Sequence, residues 1–390
     1  MNAAANIFDV FRLHGGKVAA ARSLFPDVRA PWLDLSTGIS PWAYPHEGIA
    51  REAFTRLPDP EAVAELEAAA AASFGVADSA SVVATPGSDL ALRVMGRVFA
   101  GRRVAVVRPG YSGHLLAWGE AAVTAVAARD IESIARDHDV VVLANPNNPD
   151  GRVIERGRLL DVAGMLAERD GVLIVDEAFA DVRPEESLCG SLDRVSNVIV
   201  FRSFGKFFGL AGVRLGFVVA ACFEQGRALR ARGSGEAGGA RIGLPSVSAA
   251  MRGVPAFSEA AHVREVPAAH GARAFRAAIG DWPVSGPAVA VGTAAYRDLQ
   301  WQSLQRRRVT EAAERLDALL IRAGLTIAGG TALFRLARCA DADAVFRQLA
   351  AHGILTRPFA SDATLLRLGL PADESHWQRL ATALDSRHIS

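Results

Sequence analysis

The sequence predicts an α/β protein built on a mostly parallel, doubly wound sheet, with a smaller α+β domain beside it. Short apolar runs alternate with helical patterns through the middle of the chain. Several of those runs are apolar at every position, as strands covered on both faces require. The texture then changes after about residue 290. The runs are SVVAT (81 to 85), RVAVVR (103 to 108), VVVLAN (140 to 145), VLIVD (172 to 176), NVIVFRS (197 to 203) and LGFVVA (215 to 220). SDLALRVMGRVFA and RGRLLDVAGMLAERD between them carry helical spacing, and such alternation is how parallel strands are connected.

YRDLQWQSLQRRRVTEAAERLDALLIRAGL reads as one long amphipathic helix closed by Gly324. Shorter strands (ALFRLAR, TLLRLGL) and two helical segments follow. The first fifty residues are rich in Pro, Gly and Trp with little periodicity, and are expected to drape over both domains. The expected division is residues 51–290 as the large domain, with 1–50 and 291–390 as arm and small domain. The stretch 230–274 is rich in Gly, Ala, Pro and Arg and long for a loop. It offers little apolar surface against the entropy of ordering and is expected to be a mobile insertion, although GLPSVSAAM within it could pack as a short helix.

Composition narrows the function. The 43 basic and 42 acidic residues leave a net charge of +1, which gives no reason to expect a nucleic-acid or membrane partner. Cys189, Cys222 and Cys339 are scattered and lack metal-type spacing, fitting a reducing compartment. The N-terminus shows no signal-peptide pattern, and runs such as GFVVAACF are too short to span a bilayer. A cytoplasmic protein is expected.

Four features lie just beyond strand ends, where open α/β sheets bind ligands. In TPGSDLAL, Gly87 and Ser88 precede a helix, whose N-terminus and backbone amides suit a phosphate; alternatively Ser88 is an ordinary N-cap. In ANPNNPDGR, two prolines and Gly151 set a turn from which Asn148 can reach a site, though such turns are common. In VDEAFAD, Asp176 ends an apolar strand, where an unpaired carboxylate is costly; it binds something or caps the next helix. In FRSFGKFFGLAGVRLGF, Ser203, Lys206 and Arg214 stand among aromatics. An amine in a dry, cationic setting loses basicity and becomes nucleophilic.

The set GSD, NPNNPDG, VDEAF and SFGKFFGLAGVRLG resembles the fold-type-I pyridoxal-phosphate enzymes of the aminotransferase class I/II group, across nearly the whole chain. The resemblance implies that Lys206 forms the covalent Schiff-base link to pyridoxal 5'-phosphate, and that Asp176 keeps the pyridine nitrogen protonated. It implies that Asn148 bonds the ring hydroxyl. Gly87, Ser88, Ser203 and Arg214 would hold the cofactor phosphate, with Asp89 in the same loop. Tyr111 would stack on the ring, and His114 would support Asp176 from behind. Two positions depart from the group: Phe179 and Leu57 stand where many members have tyrosines. A ring-hydroxyl contact and a cross-subunit phosphate contact are therefore in doubt.

LHGGKVAAARSLFP (13 to 26) and WLDLSTGISPWAYP (32 to 45) resemble the threonine-phosphate decarboxylases of cobalamin biosynthesis, as do WPVSGPAVAVG, GGTALFRL and LLRLGLP. That resemblance implies a small phosphorylated amino-acid substrate held by His14, Gly38, Asn148, Arg357 and Arg367. Arg367 would take the carboxylate, with Arg357 and His14 on the phosphate. The plainer readings are a loop histidine and two exposed arginines. A homodimer is implied as well. Three functions stay open: decarboxylation of L-threonine O-3-phosphate, transamination of a substrate such as histidinol phosphate, and a non-catalytic protein on the same fold. The presence of Lys206, Asp176, Asn148 and Arg214 disfavours the last.

Overall fold

The computed structural model describes residues 9–29, 31–119, 123–221 and 271–385. The strands, in chain order, are β1 (Leu33–Asp34), β2 (Val82–Thr85), β3 (Val104–Arg108), β4 (Val123–Ala127), β5 (Val140–Ala144), β6 (Val172–Asp176), β7 (Val198–Ser203) and β8 (Gly216–Ala220). Toward the C-terminus come β9 (Thr326–Thr331), β10 (Phe334–Arg338), β11 (Ile354–Leu355), β12 (Arg357–Pro358) and β13 (Leu365–Gly369).

A seven-stranded sheet runs in the order β2-β8-β7-β6-β5-β3-β4. β3 to β7 pair in parallel, whereas β8 is antiparallel to both β2 and β7. Every residue of β2, β5, β6, β7 and β8 is buried, as continuous apolar runs between two layers should be. The C-terminal ends of β2, β5, β6 and β7 leave Thr85, Ala144, Asp176 and Ser203 along one edge. Antiparallel β8 starts at that same edge, with Gly216 opposite both Thr85 and Ser203.

A four-stranded sheet, β12-β13-β10-β9, is antiparallel throughout. Its core joins Leu316, Phe334, Phe346 and Leu368 to Phe11, Leu33 and Leu35 from the start of the chain. The N-terminal stretch contains the helices Asp9–Leu13 and Val18–Leu24, and its β1 pairs in parallel with β11. It is more ordered than its composition suggests.

The long helix is a second correction. Helix Gly286–Arg297 ends before Asp298, whose carboxylate accepts from the Trp301 amide and caps a new helix, Leu299–Arg322. An Asp at an N-cap satisfies an amide that the helix itself leaves open, so the apolar period restarts there. Of the stretch 230–274, residues up to 270 lie outside the described residues, as does Cys222. Its last residues begin the helix Ala272–Ile279, where Ala272 and Phe275 are buried against the large sheet.

Candidate active site

A cavity of about 420 Å³ opens at the strand-end edge, and all thirteen sequence-predicted site residues line it. They are Gly87, Ser88, Asp89, Tyr111, Asn148, Asp176, Ser203, Lys206 and Arg214 from the large-sheet side, with His14, Gly38, Arg357 and Arg367 from the arm and the C-terminal sheet. Leu57 lies elsewhere, 64% exposed on a second, open cavity.

Lys206 sits in the single turn Phe204–Phe207 directly after β7. The rings around it have a separate task. Phe204, Phe207 and Phe208 are buried in the large core, where Phe208 stacks on Phe204 (4.6 Å) and Trp301 (5.5 Å). Gly205 is required because a Cβ there would lie 2.5 Å from Ala211 Cα. The Lys206 carbonyl accepts from the Ser40 amide at 2.8 Å. Gln305 Nε2 donates to Ser40 Oγ (2.6 Å) and to the Phe207 carbonyl (3.2 Å), fastening the arm to this turn. The aromatic run is a clamp, and the lysine is what it aims. Burial, assisted by Arg367, Arg214 and Arg357 against the opposing pull of Asp176, brings the amine from 10.5 down to about 8.

Asp176 receives His114 Nε2 at 3.1 Å and the Ala178 amide at 3.1 Å. His114 is fully buried, and its Nδ1 has no hydrogen-bond partner among the described residues. A donor aimed at one carboxylate oxygen steadies the carboxylate without using it up.

The turn after β2 forms a cup. Gly87 is the N-cap of the helix Ser88–Val98, so Ser88 is the first helical residue rather than the cap. Gly87 has φ +90, and a Cβ there would stand 2.8 Å from Arg214 Nη2. Only glycine lets that guanidinium lie across the loop. Arg214 itself holds a left-handed φ of +56. A guanidinium, a helix N-terminus and the Ser88 and Ser203 hydroxyls make a donor set suited to a phosphate. Pyridoxal phosphate therefore fits this chain's residues: phosphate donors at one end, the Asp176 carboxylate at the other, and an amine of lowered basicity between.

Tyr111 donates to Asp89 Oδ1 at 3.0 Å, and Asp89 Oδ2 accepts from Arg93 Nε at 3.0 Å. Burial first, then Asp89, keeps the Tyr111 phenol protonated far above its usual range. Arg367 donates from Nη1 to Asn148 Oδ1 (2.8 Å) and from Nη2 to the Ser36 carbonyl (2.7 Å). Asn148 thus has its carbonyl engaged and its NH₂ left to donate. Arg357 and Arg367 are both buried, not surface charges. Burial lowers both, Arg357 to about 10, and Arg357 lowers Arg367 further. Guanidiniums keep their protons in proteins, so the shift measures how much this corner of the cavity favours an anion. Burial, Arg357 and Lys17 also lower His14. The His14 loop is seated by Ser36: the Gly16 amide donates to Ser36 Oγ at 2.7 Å, and Ser36 Oγ donates to Asp34 Oδ1 at 2.5 Å.

Phe179 is buried edge-on against Phe334 at 5.0 Å, and a Cβ at Gly38 would strike both rings. It closes an apolar wall near Lys206, whose Nζ is 6.0 Å from the ring centre. Arg93, Gly205, Gln305 and Ser36 were not singled out from sequence. Only Gly205, inside the lysine motif, carried a local signal.

The fold, the strand-end cavity, its half-buried lysine and its buried aspartate define a class, and comparison agrees. The chain belongs to the aminotransferase class I and II family, matched over residues 46–384, and is an enzyme of the fold-type-I pyridoxal-phosphate-dependent superfamily. It is similar to the threonine-phosphate decarboxylase of Pseudomonas aeruginosa, 39% identical over 95% of this chain and 96% of that one. It is also similar to a threonine-phosphate decarboxylase of a Sinorhizobium species, at 32% identity over 95% and 97%. Among solved structures, the histidinol-phosphate aminotransferase of Sinorhizobium meliloti in complex with pyridoxal-5'-phosphate superposes with a TM-score of 0.69, covering 98% of this chain and 97% of that one. At 21% identity that likeness speaks for the fold. No helix among the described residues is long and apolar enough to cross a membrane.

Proposed function

We propose that the enzyme binds pyridoxal 5'-phosphate and decarboxylates L-threonine O-3-phosphate, giving (R)-1-amino-2-propanol O-2-phosphate and carbon dioxide. The observation that carries this is the second set of cations in the cavity. Beyond the Gly87–Arg214 cup stand buried Arg357 and Arg367 with His14 beside them. Two anion sites past the cofactor's own suit a substrate with both a carboxylate and a phosphate. The likeness to two threonine-phosphate decarboxylases over nearly the full chain supports the same substrate.

Gly87, Ser88, Ser203 and Arg214 would hold the cofactor phosphate, Asp176 would hold a proton at the ring nitrogen, and Asn148 Nδ2 would donate to the ring oxygen. When bound, the cofactor supplies a sink for the electron pair left at Cα as a bond there breaks. Arg367 orients the substrate carboxylate, and Arg357 with His14 takes the phosphate dianion. Phe179 and Leu92, both lining the cavity, would help keep water from the reacting carbon. Lys206 would carry the covalent link to the cofactor, and its Nζ, lowered to about 8, can hold a proton near neutral pH and would give it to Cα where carbon dioxide leaves. A homodimer in a reducing cytoplasm completes the reading.

The test is incubation with L-threonine O-3-phosphate, with mass analysis of the product and measurement of carbon dioxide. An amine phosphate and stoichiometric carbon dioxide are expected, with free L-threonine poorer by roughly 10⁴-fold because the phosphate-binding groups lose their partner. A keto product without carbon dioxide would point to transamination, with histidinol phosphate the next substrate to try. Equal use of threonine and its phosphate would sink the phosphate-recognition reading.

A further inference from the structure

The motif GGTALFRL, residues 329–336, lies on the C-terminal sheet, and its two glycines touch the turn that carries Asn148. That turn is wired internally. Asn145 exchanges bonds with the Ile154 backbone at 2.8 and 3.1 Å. Asn147 Nδ2 donates to the Pro109 carbonyl at 2.9 Å and Asp150 Oδ1 at 2.7 Å. The Gly151 amide donates to the Asn147 carbonyl at 2.8 Å. This wiring uses Asn145, Asn147 and Asp150, while Asn148 meets Arg367.

On its outer side the turn lies backbone to backbone against β9. The Gly330 amide donates to the Asp150 carbonyl at 2.8 Å. A Cβ at Gly151 would fall 1.9 Å from the Gly330 oxygen, and one at Gly329 would fall 2.2 Å from the Asp150 oxygen. Gly151, Gly329 and Gly330 have φ of +69, +150 and +137, values that side chains make costly. Gly151 and Gly329 thus let two main chains meet where a side chain would hold them apart, while a Cβ at Gly330 would instead fall 2.4 Å from the Phe334 oxygen of β10. β9 and the Arg367 strand β13 both pair with β10. One sheet therefore grips the turn twice, by its backbone through Gly330 and by the Asn148 side chain through Arg367.

We propose that Gly329 and Gly330 are positioning residues that fix Asn148 against Arg367 and so set the orientation in which the substrate Cα is presented. The second half rests on the function proposed above; the first does not. Which bond at Cα breaks depends on how the carboxylate is turned relative to the ring. Arg367 and Asn148, held by one sheet, are the two groups that would fix those directions.

The experiment uses Gly329→Ala, whose Cβ would meet the Asp150 oxygen of the turn, with Thr326→Ala at the exposed far end of β9 as the control for mere sheet damage. In cofactor-free protein, the Asn148 side-chain amide resonances, assigned by their loss in Asn148→Ser, should shift in Gly329→Ala and stay fixed in Thr326→Ala. In loaded enzyme, Gly329→Ala should lower kcat by roughly 10²-fold, the scale of a 1 Å misplacement, with a smaller change in KM. The ratio of keto to decarboxylated product should rise. Unmoved Asn148 resonances in folded Gly329→Ala overturn the proposal. A shift there, with no cofactor bound by the unaltered protein, keeps the positioning and removes the proposed function instead. Should Gly329→Ala not fold, the unaltered protein decides: the Gly330 amide must exchange as slowly as those of β10, and exchange at an unprotected rate ends the idea.

Discussion

Lys206 should react as an amine far more readily near neutral pH than an ordinary lysine in the cofactor-free protein, and the effect is large enough to measure directly. Its amine stands at about 8 against an ordinary 10.5, a difference of 10.5 − 8 = 2.5 units. At pH 7 that raises the reactive fraction by about 10^2.5, or roughly 300-fold. The chain supplies its own reference, because its only other lysine, Lys17, is exposed. An amine-acylating reagent applied across pH 6 to 11, followed by peptide mass mapping, should give half-maximal modification of Lys206 near pH 8, well before Lys17. The linkage has a definite sign. Between about 8 and 10.5 the folded protein binds fewer protons at Lys206 than the unfolded chain, so this group's contribution to stability rises with pH. Full burial would make that rise about 3 kcal/mol, and partial exposure of the side chain reduces it. Lys206→Met should flatten the rise, and should make the cofactor-free protein more stable than wild type at pH 7. A Lys206 midpoint at pH 10 or above, or a flat wild-type stability through that window, would refute the reasoning.

Asp176→Asn keeps the shape of the site but removes the charge facing His114, and turnover should fall by roughly 10²-fold or more; near-normal turnover would make the acid structural. Gly87→Ala should displace the Arg214 guanidinium 2.8 Å from the new Cβ. A charged hydrogen bond is worth about 1.5–3 kcal/mol, so cofactor Kd, read by equilibrium dialysis, should rise about ten- to a hundredfold, and a Kd within twofold of wild type would count against the cup. Arg202 is buried behind the site, bonding Glu177 Oε2 at 3.0 Å and Asp181 Oδ1 at 2.6 Å. Arg202→Met strands both carboxylates and should cost about 3–5 kcal/mol in denaturant unfolding, much of it recovered by adding Glu177→Gln and Asp181→Asn; a loss under about 1 kcal/mol would show that the ion pairs relax into water.

What could be read from sequence follows from which signals are local. A polar residue ending an apolar strand is conspicuous, so Asp176 and Ser203 stood out, and the buried strands β5, β6 and β7 were located within a residue. β4 is an edge strand with Thr124 and Ala125 exposed, and lacks the continuous apolar run that marks its neighbours. β9 reads TIAGGT, in which two glycines erase the strand signal because their task is to meet another backbone. The break at Asp298 was hidden because an apolar period continues on both sides of it.

The same distinction explains why the site residues were legible and the contacts that hold them in place were not. FGKFF shows that something holds Lys206 among rings, but Gln305, about a hundred residues later in sequence, fastens that turn to Ser40. Arg367 and Asn148 are 219 residues apart, yet share a 2.8 Å bond. Arg357 and Arg367 were expected at the substrate from the resemblance, and the C-terminal sheet buries both at the cavity. Burial bears on the proposed substrate: two exposed arginines would be screened and select little, whereas two buried ones lining the cavity suit an anion. On the proposed reading, substrate choice rests on contacts between distant segments, and the reactive groups themselves lie in short motifs at strand ends.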